Sequence, residues 1–269
     1  MHLCIKSILL GIVQGLTEFL PISSTGHMII VDEYLELPPG FRETFLVVVQ
    51  LGSILSVLVY FRKKLFPREM FQGREGIANT WSLWWRVALG VVPAIVLGGL
   101  FGSWIKEKLY GIITVATALA IGGVVILLLE RRRRDAKYTE IRDMPPWRIL
   151  GIGLAQAFAM VPGVSRSAAT IIGALLLGMS RELAVEYSFY LAIPTMFAAS
   201  AYSLLKEGAA LSSEQWLAVA VGFVTAFLVA WGVIALFIAY IRKRDFRIFG
   251  WYRIALALVI LVWLYFCRG

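Results

Sequence analysis

Six apolar stretches, each about as long as a membrane-spanning helix, constrain the fold of this chain more than any other feature. They lie at 43–61, 84–102, 111–130, 183–204, 215–240 and 251–267. About 20 helical residues cross the hydrocarbon core of a bilayer. The chain of 269 residues is 59% hydrophobic, whereas soluble domains are roughly 45–50% apolar. The sequence therefore predicts an all-α integral membrane protein with a single membrane domain, residues 1–269.

Two further apolar segments, 5–31 and 149–178, are each interrupted by a polar loop that contains proline and glycine. The apolar arms on either side of each loop are shorter than the roughly 20 residues that a crossing requires. Irregular backbone is tolerated at membrane depth only where protein or a water-filled cavity surrounds it. We therefore predict two re-entrant helix–loop–helix segments, each of which enters the membrane and leaves on the same side.

The order of the segments indicates an internal duplication, with residues 1–140 as the first repeat and 141–269 as the second. Pro21 and Pro162 each precede a serine-rich loop, and "RETFLVVVQLGSIL" is echoed later by "RELAVEYSFYLAIP". Each repeat holds one re-entrant segment and three spans, and an odd number of spans inverts the second repeat. We expect an inverted-topology repeat, an arrangement that places polar sites near the membrane midplane.

The distribution of positive charge predicts the orientation. The chain has 26 Lys and Arg residues against 17 Asp and Glu, a net charge of +9. Most of the basic residues, including the run 131–134 and Arg253, fall in segments on one side. The other side carries Lys6, Arg42, Lys106, Lys108, Lys206 and Arg268. Because cytoplasmic loops are enriched in Lys and Arg, both termini and the first loop are predicted to face outward. The same enrichment explains the net positive charge, so the sequence predicts no nucleic-acid partner.

The first broken segment contains "QGLTEFLPISSTGHM" at 14–28. Gln14 and Glu18 are four residues apart and therefore share one helix face. Two oxygen-bearing side chains on one face suit a hard cation, Mg²⁺ or Ca²⁺, completed by phosphate and water. The alternative is a hydrogen bond between the two side chains that serves helix packing.

The loop that follows carries Ser23, Ser24 and Thr25, with His27 three residues after Ser24. A hydroxyl near an imidazole is the pairing of a nucleophile with a general base. The alternative is an N-cap, because Ser and Thr favour the start of a helix. Both interpretations hold if one residue caps the helix while another reacts.

The second broken segment contains "PGVSRSAAT", whose polar residues are Ser165, Arg166, Ser167 and Thr170. A loop that leads into a helix presents free N–H groups and the positive end of the helix dipole, which favours an anion. The guanidinium of Arg166 matches phosphate oxygens. The alternative is a structural ion pair of Arg166 with Glu18 or Glu186, and Glu186 is expected to lie outside the reacting groups.

Both loop motifs resemble the signature regions of the bacterial undecaprenyl-diphosphate phosphatases, the family associated with bacitracin resistance. "FLVVVQLGSILSVLVYFRKKLF" also matches, so the resemblance covers almost the whole chain. It implies hydrolysis of undecaprenyl diphosphate to the monophosphate that carries cell-wall precursors, in the bacterial plasma membrane and with a divalent cation, Mg²⁺ or Ca²⁺. The implied partners are a polyprenyl diphosphate and membrane lipids, and a homodimer is left open.

The resemblance also assigns roles to residues of this sequence. The acidic motif falls on Gln14 and Glu18, which would be the metal ligands, the motif hydroxyl and imidazole fall on Ser24 and His27, and the second signature falls on Ser165, Arg166 and Thr170. Together with the pattern of polar residues in the loops, this predicts Ser24, His27, Glu18 and Arg166 as catalytic residues. The predicted substrate-binding residues are Ser23, Thr25, Gly163, Ser165, Arg166, Ser167 and Thr170. Gln14 stands where the family has Glu or Gln, which leaves one fewer negative ligand. Ser24 is expected to attack phosphorus with His27 as base; attack by His27 or by a bound water is the alternative. A transporter that flips a lipid phosphate is the competing class, since inverted repeats with broken helices are also a transporter design.

Overall fold

The computed structural model describes residues 2–35, 37–38, 40–67, 74–131, 135–207 and 211–268. Within these residues the regular structure is helical, apart from a parallel bridge between Tyr138 and Met179. The helices are α1 (Leu3–Thr17), α2 (Ser24–Leu35), α3 (Phe41–Tyr60), α4 (Arg62–Leu65), α5 (Arg74–Leu109), α6 (Ile112–Arg131), α7 (Pro146–Ala157), α8 (Arg166–Leu176), α9 (Arg181–Glu207), α10 (Ser213–Ile241) and α11 (Arg247–Arg268). The prediction of an all-helical protein is confirmed.

Helices occupy all six predicted spans, and in the part of the chain that the structure describes four of them contain stretches long and apolar enough to cross a membrane. These stretches are Gly76–Ile105, Ile112–Arg131, Ser213–Ile241 and Arg247–Phe266. In α3 the described apolar stretch is Thr44–Tyr60.

Helix α9 is 27 residues long but is more polar than these four. Tyr187, Phe189 and Leu191 near its middle are 0% exposed. Polar groups in membrane helices face the protein interior, and residues 183–193 of α9 are buried against neighbouring helices. This stretch therefore does not need an apolar surface towards lipid.

Each of the two broken segments forms a pair of short helices joined by a loop, as predicted. Residues 18–23 connect α1 to α2, and a 3₁₀ turn at Phe158–Met160 followed by residues 161–165 connects α7 to α8. Pro21 and Pro162 lie within the loops. Pro146 is the first residue of α7, where the missing N–H would have no partner within the helix.

Helix packing brings the two loops together. Helix α1 packs along α10, α7 along α5, and α6 along α11, while α8 contacts α6, α7 and α9. The rings of Phe19 and Phe189, whose centroids are 5.0 Å apart, join the first loop to α9. The loop after α1 therefore lies against the start of α8, and the polar residues of both loops face one another.

Candidate active site

Glu18 is the centre of a polar cluster built from both loops. Gln14 Nε2 and Ser24 Oγ each donate a hydrogen bond of 2.8 Å to Glu18 Oε2. Arg166 Nη2 donates one of 3.0 Å to Glu18 Oε1. The carboxylate therefore joins α1, α2 and α8, and the structure brings together four of the predicted site residues.

The backbone of Ser23 sets the position of Ser24. Ser23 has a positive φ of 72°, a region that residues other than Gly, Asn and Asp seldom adopt. Its hydroxyl accepts from the N–H of Gly26 at 3.3 Å, so Ser23 acts as a cap for α2. Ser24 is then the first residue of the helix, with its hydroxyl directed at Glu18. Thr25 beside it is exposed.

His27 is not bonded to Ser24 in this structure. Its Nδ1 lies 2.8 Å from the carbonyl oxygen of Ser23, and its Nε2 lies 2.7 Å from the hydroxyl of Tyr252 on α11. Because a carbonyl only accepts, the proton is assigned to Nδ1, and Nε2 accepts from the tyrosine. The His27 and Tyr252 rings are stacked, with centroids 5.7 Å apart.

The second loop ends as the first does, at a serine with a positive φ that caps the following helix. Ser165 also has a φ of 72° and caps α8 by accepting from the N–H of Ala168 at 3.2 Å. Its hydroxyl lies 3.0 Å from the hydroxyl of Ser167. The Ser167 hydroxyl donates a hydrogen bond of 2.8 Å to the carbonyl oxygen of Leu20 in the first loop. The serines of "PGVSRSAAT" therefore cap a helix and join the two loops directly.

Arg166 lies in the interior, with its side chain 12% exposed and that of Glu18 6% exposed. Its Nη1 donates to the carbonyl of Ser188 at 2.9 Å, and its Nε is buried without a partner among the described residues. Removing one member of a buried ion pair leaves an uncompensated charge, which is strongly destabilising. The ion pair with Glu18 that the sequence offered as an alternative is therefore formed.

Two polar residues that the sequence analysis considered, Thr170 and Glu186, make no hydrogen bond to Glu18 among the described contacts and bond to other groups instead. Thr170 is 0% exposed, and its hydroxyl lies 2.6 Å from that of Ser188, so it supports the segment that holds Arg166. Glu186 pairs with Lys64 at 2.6 Å and accepts from Tyr190 at 3.3 Å. Glu186 thus lies outside the Glu18 cluster, as expected.

Arg253 corrects one sequence interpretation. We counted it among the charges at the cytoplasmic ends of the spans, yet it is 0% exposed and donates to the carbonyls of Pro21 and Gly163 in the two loops. Sequence reasoning also missed its neighbour Tyr252. The available signal was the position of Arg253 inside the predicted span 251–267, because an ionisable residue within a span is a functional candidate by default.

The oxygen donors of the cluster are the residues that could hold a cation. In the described part of the chain, no three His, Cys, Asp or Glu side chains form a metal-binding group. Gln14 uses its amide nitrogen towards Glu18, so its amide oxygen is not part of that bond. A carboxylate, an amide oxygen and the Ser24 hydroxyl are hard donors, and Mg²⁺ commonly binds through one or two carboxylates plus substrate phosphates. The donor set therefore fits Mg²⁺ or Ca²⁺.

Comparison with known proteins gives matches along nearly the whole chain. The family model described as bacitracin resistance protein BacA matches residues 7–259. Undecaprenyl-diphosphatase 1 of Clostridioides difficile (strain 630) is 47% identical over 262 residues, covering 97% of this chain and 96% of that protein. The undecaprenyl-diphosphatase of Enterococcus faecalis is 44% identical over 264 residues, or 96% of each chain. Undecaprenyl-diphosphatase 2 of Rhodospirillum rubrum is 46% identical over 258 residues, covering 96% of this chain and 93% of that protein.

Proposed function

The chain belongs to the family of the bacitracin resistance protein BacA, and on that premise we propose that it hydrolyses undecaprenyl diphosphate to undecaprenyl phosphate and inorganic phosphate. The observation that carries the proposal is the Glu18 cluster. It places a serine hydroxyl and a guanidinium within hydrogen-bond distance of one carboxylate where two loops meet. A phosphoryl transfer depends mostly on positioning and on stabilisation of charge, and these three groups supply both.

We place this site in a multi-pass bacterial membrane enzyme with six spans and two re-entrant segments, arranged as the inverted repeats 1–140 and 141–269. The matching φ of 72° at Ser23 and Ser165 supports the repeat. So does the packing, because α1 lies along α10 as α7 lies along α5. Broken helices that meet at depth are typical of inverted-repeat membrane folds.

The proposed orientation has both termini and the site on the outer face. Its support is the excess of Lys and Arg at the opposite end, and moving Arg253 out of that count leaves the excess large. Of the basic residues used, Arg68, Arg132, Arg133 and Arg134 lie outside the described residues. The chain is expected to act on a lipid substrate among membrane lipids. Its oligomeric state is proposed to be a monomer or a homodimer, and light scattering would distinguish the two.

We propose that the diphosphate head group binds between the loops while the isoprenoid tail stays in lipid. Arg166 would bind phosphate oxygens together with N–H groups at the start of α8, and Ser23, Thr25, Gly163, Ser165, Ser167 and Thr170 line or support this cradle. Because Arg166 is paired with Glu18 in the structure, a phosphate would compete with Glu18 for the guanidinium. Binding of substrate would therefore release the carboxylate for chemistry.

A divalent cation held by Glu18 and Gln14, Mg²⁺ or Ca²⁺, would supply positive charge opposite the diphosphate. The residues of the chain perform the remaining steps. Ser24 Oγ forms a bond to the terminal phosphorus while the bond from phosphorus to the bridging oxygen breaks, and undecaprenyl phosphate leaves. The serine proton passes to Glu18, the acceptor 2.8 Å away. The oxygen of a water molecule then forms a bond to the phosphorus of the phosphoserine while the bond from phosphorus to Oγ breaks. The proton on Glu18 returns to Ser24 Oγ, and inorganic phosphate leaves.

His27 has a positioning role in this scheme, since its contact with the Ser23 carbonyl holds the turn that presents Ser24. Acting as the base itself would require release of its Nε2 from Tyr252. The alternative proposal is that His27 is released from Tyr252 and acts as the base for Ser24.

The test is phosphate release by purified protein in detergent, given undecaprenyl diphosphate and Mg²⁺. We expect multiple turnovers with the native chain, loss of turnover in Ser24→Ala, and native turnover in the matched control Ser103→Ala, because Ser103 is exposed on α5. A transporter would bind the lipid without releasing phosphate. Binding without release by the native chain would therefore overturn the hydrolase proposal in favour of a transporter.

A further inference from the structure

Arg253 is a completely buried charged side chain that the proposed reaction does not use. It lies on α11 and donates to two carbonyl groups of the second loop, those of Gly163 and Val164, each at 3.1 Å. It also donates to the carbonyl of Pro21 in the first loop at 3.2 Å. The remaining partners are carbonyls within α6, at Ala118 (3.1 Å) and Leu119 (3.4 Å).

These contacts come from all three guanidinium nitrogens. Nη1 reaches the first loop, Nη2 reaches the second loop and α6, and Nε reaches α6. A planar guanidinium with five N–H donors can serve several fixed acceptors at once, whereas a lysine ammonium is a compact point charge. The partners of Arg253 in the described part of the chain are carbonyl oxygens, so carbonyl dipoles and not a carboxylate stabilise its charge.

We propose that Arg253 is a positioning residue that fixes the first loop relative to the second, and thereby holds Ser24 in register with Arg166. Ser24 and Arg166 belong to different loops, and each loop is bound to the same guanidinium through a backbone carbonyl. The carbonyls of Pro21 and Gly163 lie in turns and not in helices. In a water-poor interior such groups need a donor, and Arg253 supplies one donor to both loops.

Gly122 on α6 provides the space that this arrangement requires. A Cβ at Gly122 would collide with Arg253 Nη2, and a Cβ at the adjacent Gly123 would lie 2.7 Å from the carbonyl oxygen of Gly250. The two glycines therefore let α11 approach α6 closely enough for the guanidinium to pass between α6 and the loops. A Cβ at Gly102 on α5 would meet no atom of the described residues within 4 Å, so this glycine offers a matched control.

An effect of Arg253 on catalysis rests on the proposed function. The separation of the two loops, however, can be measured without turnover. Spin labels at Thr25→Cys and Phe158→Cys, both exposed positions next to the two loops, report their separation by pulsed electron resonance. The background carries Cys4→Ser and Cys267→Ser. A second pair, Ile113→Cys with Tyr265→Cys, reports α6 against α11 from exposed sites.

We expect one narrow loop-to-loop distance distribution in the native background and a broadened or displaced one in Arg253→Gln, Arg253→Lys and Gly122→Ala. The control pair should keep its distribution in Arg253→Lys, and Gly102→Ala should leave both pairs unchanged. An unaltered loop-to-loop distribution in Arg253→Lys and Gly122→Ala would overturn the proposal. This result is independent of whether the chain hydrolyses undecaprenyl diphosphate.

Kinetics separate positioning from bulk stability. Since the proposed role of Arg253 is to hold the loops and not to bind substrate, kcat should fall about 100-fold in Arg253→Lys, the scale of a misplacement of about 1 Å, while KM changes much less. Gly122→Ala should show the same pattern. A lowered melting temperature with native kcat would instead assign Arg253 to folding alone. Absence of turnover in the native chain would refute the proposed function, and the distance measurement would still decide the role of Arg253.

Discussion

The hydroxyl of Ser24 donates its hydrogen bond to Glu18, at 2.8 Å, while both ring nitrogens of His27 contact other groups. The residue that the sequence suggested as the base is therefore not the nearest proton acceptor of the proposed nucleophile. Glu18 also accepts hydrogen bonds from Gln14 and Arg166, so one carboxylate links the proposed nucleophile, the proposed metal ligand Gln14 and the proposed anion-binding Arg166.

We predict that Ser24 carries a transient phosphoryl group. Rapid acid quenching of the native chain with undecaprenyl diphosphate should yield a phosphorylated peptide containing residue 24, detected by mass spectrometry. Ser24→Ala should give no adduct and no phosphate release, and Ser103→Ala should behave as native. A phosphoryl group on His27, with none on Ser24, would contradict the serine mechanism.

Substitutions in the Glu18–Arg166 pair should affect stability and activity differently. Glu18→Gln leaves a buried guanidinium without its carboxylate and should cost about 3–5 kcal/mol of stability, as when one partner of a buried ion pair is removed. The double variant Glu18→Gln with Arg166→Gln removes both charges and should recover much of the loss in melting temperature. Both variants should remain inactive, and Arg244→Gln, at an exposed position, is the control. Additive destabilisation in the double variant would show that the two charges do not interact.

Tyr252→Phe should lower kcat about fivefold, because it removes one hydrogen bond, worth about 1 kcal/mol, from His27 Nε2 while keeping the ring stack. The measurement is phosphate release, with Tyr110→Phe at an exposed position as the control. In a double-mutant cycle, Tyr252→Phe should have little further effect once His27 is replaced by Gln. Independent, additive effects of the two substitutions would rule out a working Tyr252–His27 pair.

Chelation tests the proposed cation. Excess EDTA should abolish phosphate release, and added Mg²⁺ or Ca²⁺ should restore it, because the donors at Glu18 and Gln14 are hard oxygens. Mg²⁺ should also raise the melting temperature of the native chain but not that of Glu18→Gln, since a ligand stabilises the state that binds it. Full activity in EDTA would remove the metal from the scheme.

The orientation can be tested with one cysteine. In a background with Cys4→Ser and Cys267→Ser, Thr25→Cys in intact cells should react with a membrane-impermeant thiol reagent, because Thr25 is exposed and the first loop is proposed to face outward. Ser180→Cys, at the opposite end of the bundle by the charge distribution, should react only after the membrane is opened. The reverse pattern would invert the proposed topology.

Much of the architecture follows from apolarity along the chain. Spans of about 20 apolar residues have few alternatives to a helix in a membrane, and Pro21 and Pro162 mark the two interruptions directly. Helix α9 is the span for which composition was least informative. Residues 183–193 of this helix are buried among other helices, with Ala184 and Val185 at 0% exposure, and this part needs no apolar surface that faces lipid.

The motif residues of the site were accessible from sequence because each set lies within one short segment. Gln14, Glu18 and Ser24 are close in the chain, and their residue types limit the chemistry. Their partners on α11 were not accessible in this way. Tyr252 follows a tryptophan near the end of a span, where an aromatic belt is the ordinary interpretation, and Arg253 resembled a charge at the end of a helix.

By itself, the sequence determined the helical membrane class, the two loops and the residue types available for phosphate chemistry, because these depend on local composition and spacing. Only the tertiary structure decided which of these groups meet. It directed Ser24 to Glu18, joined Glu18 to Arg166 across the two halves, and brought Arg253 from α11 between the loops. The physical reason is that hydrogen bonds and ion pairs depend on distances of about 3 Å, and helix packing sets those distances between residues that lie far apart in the chain.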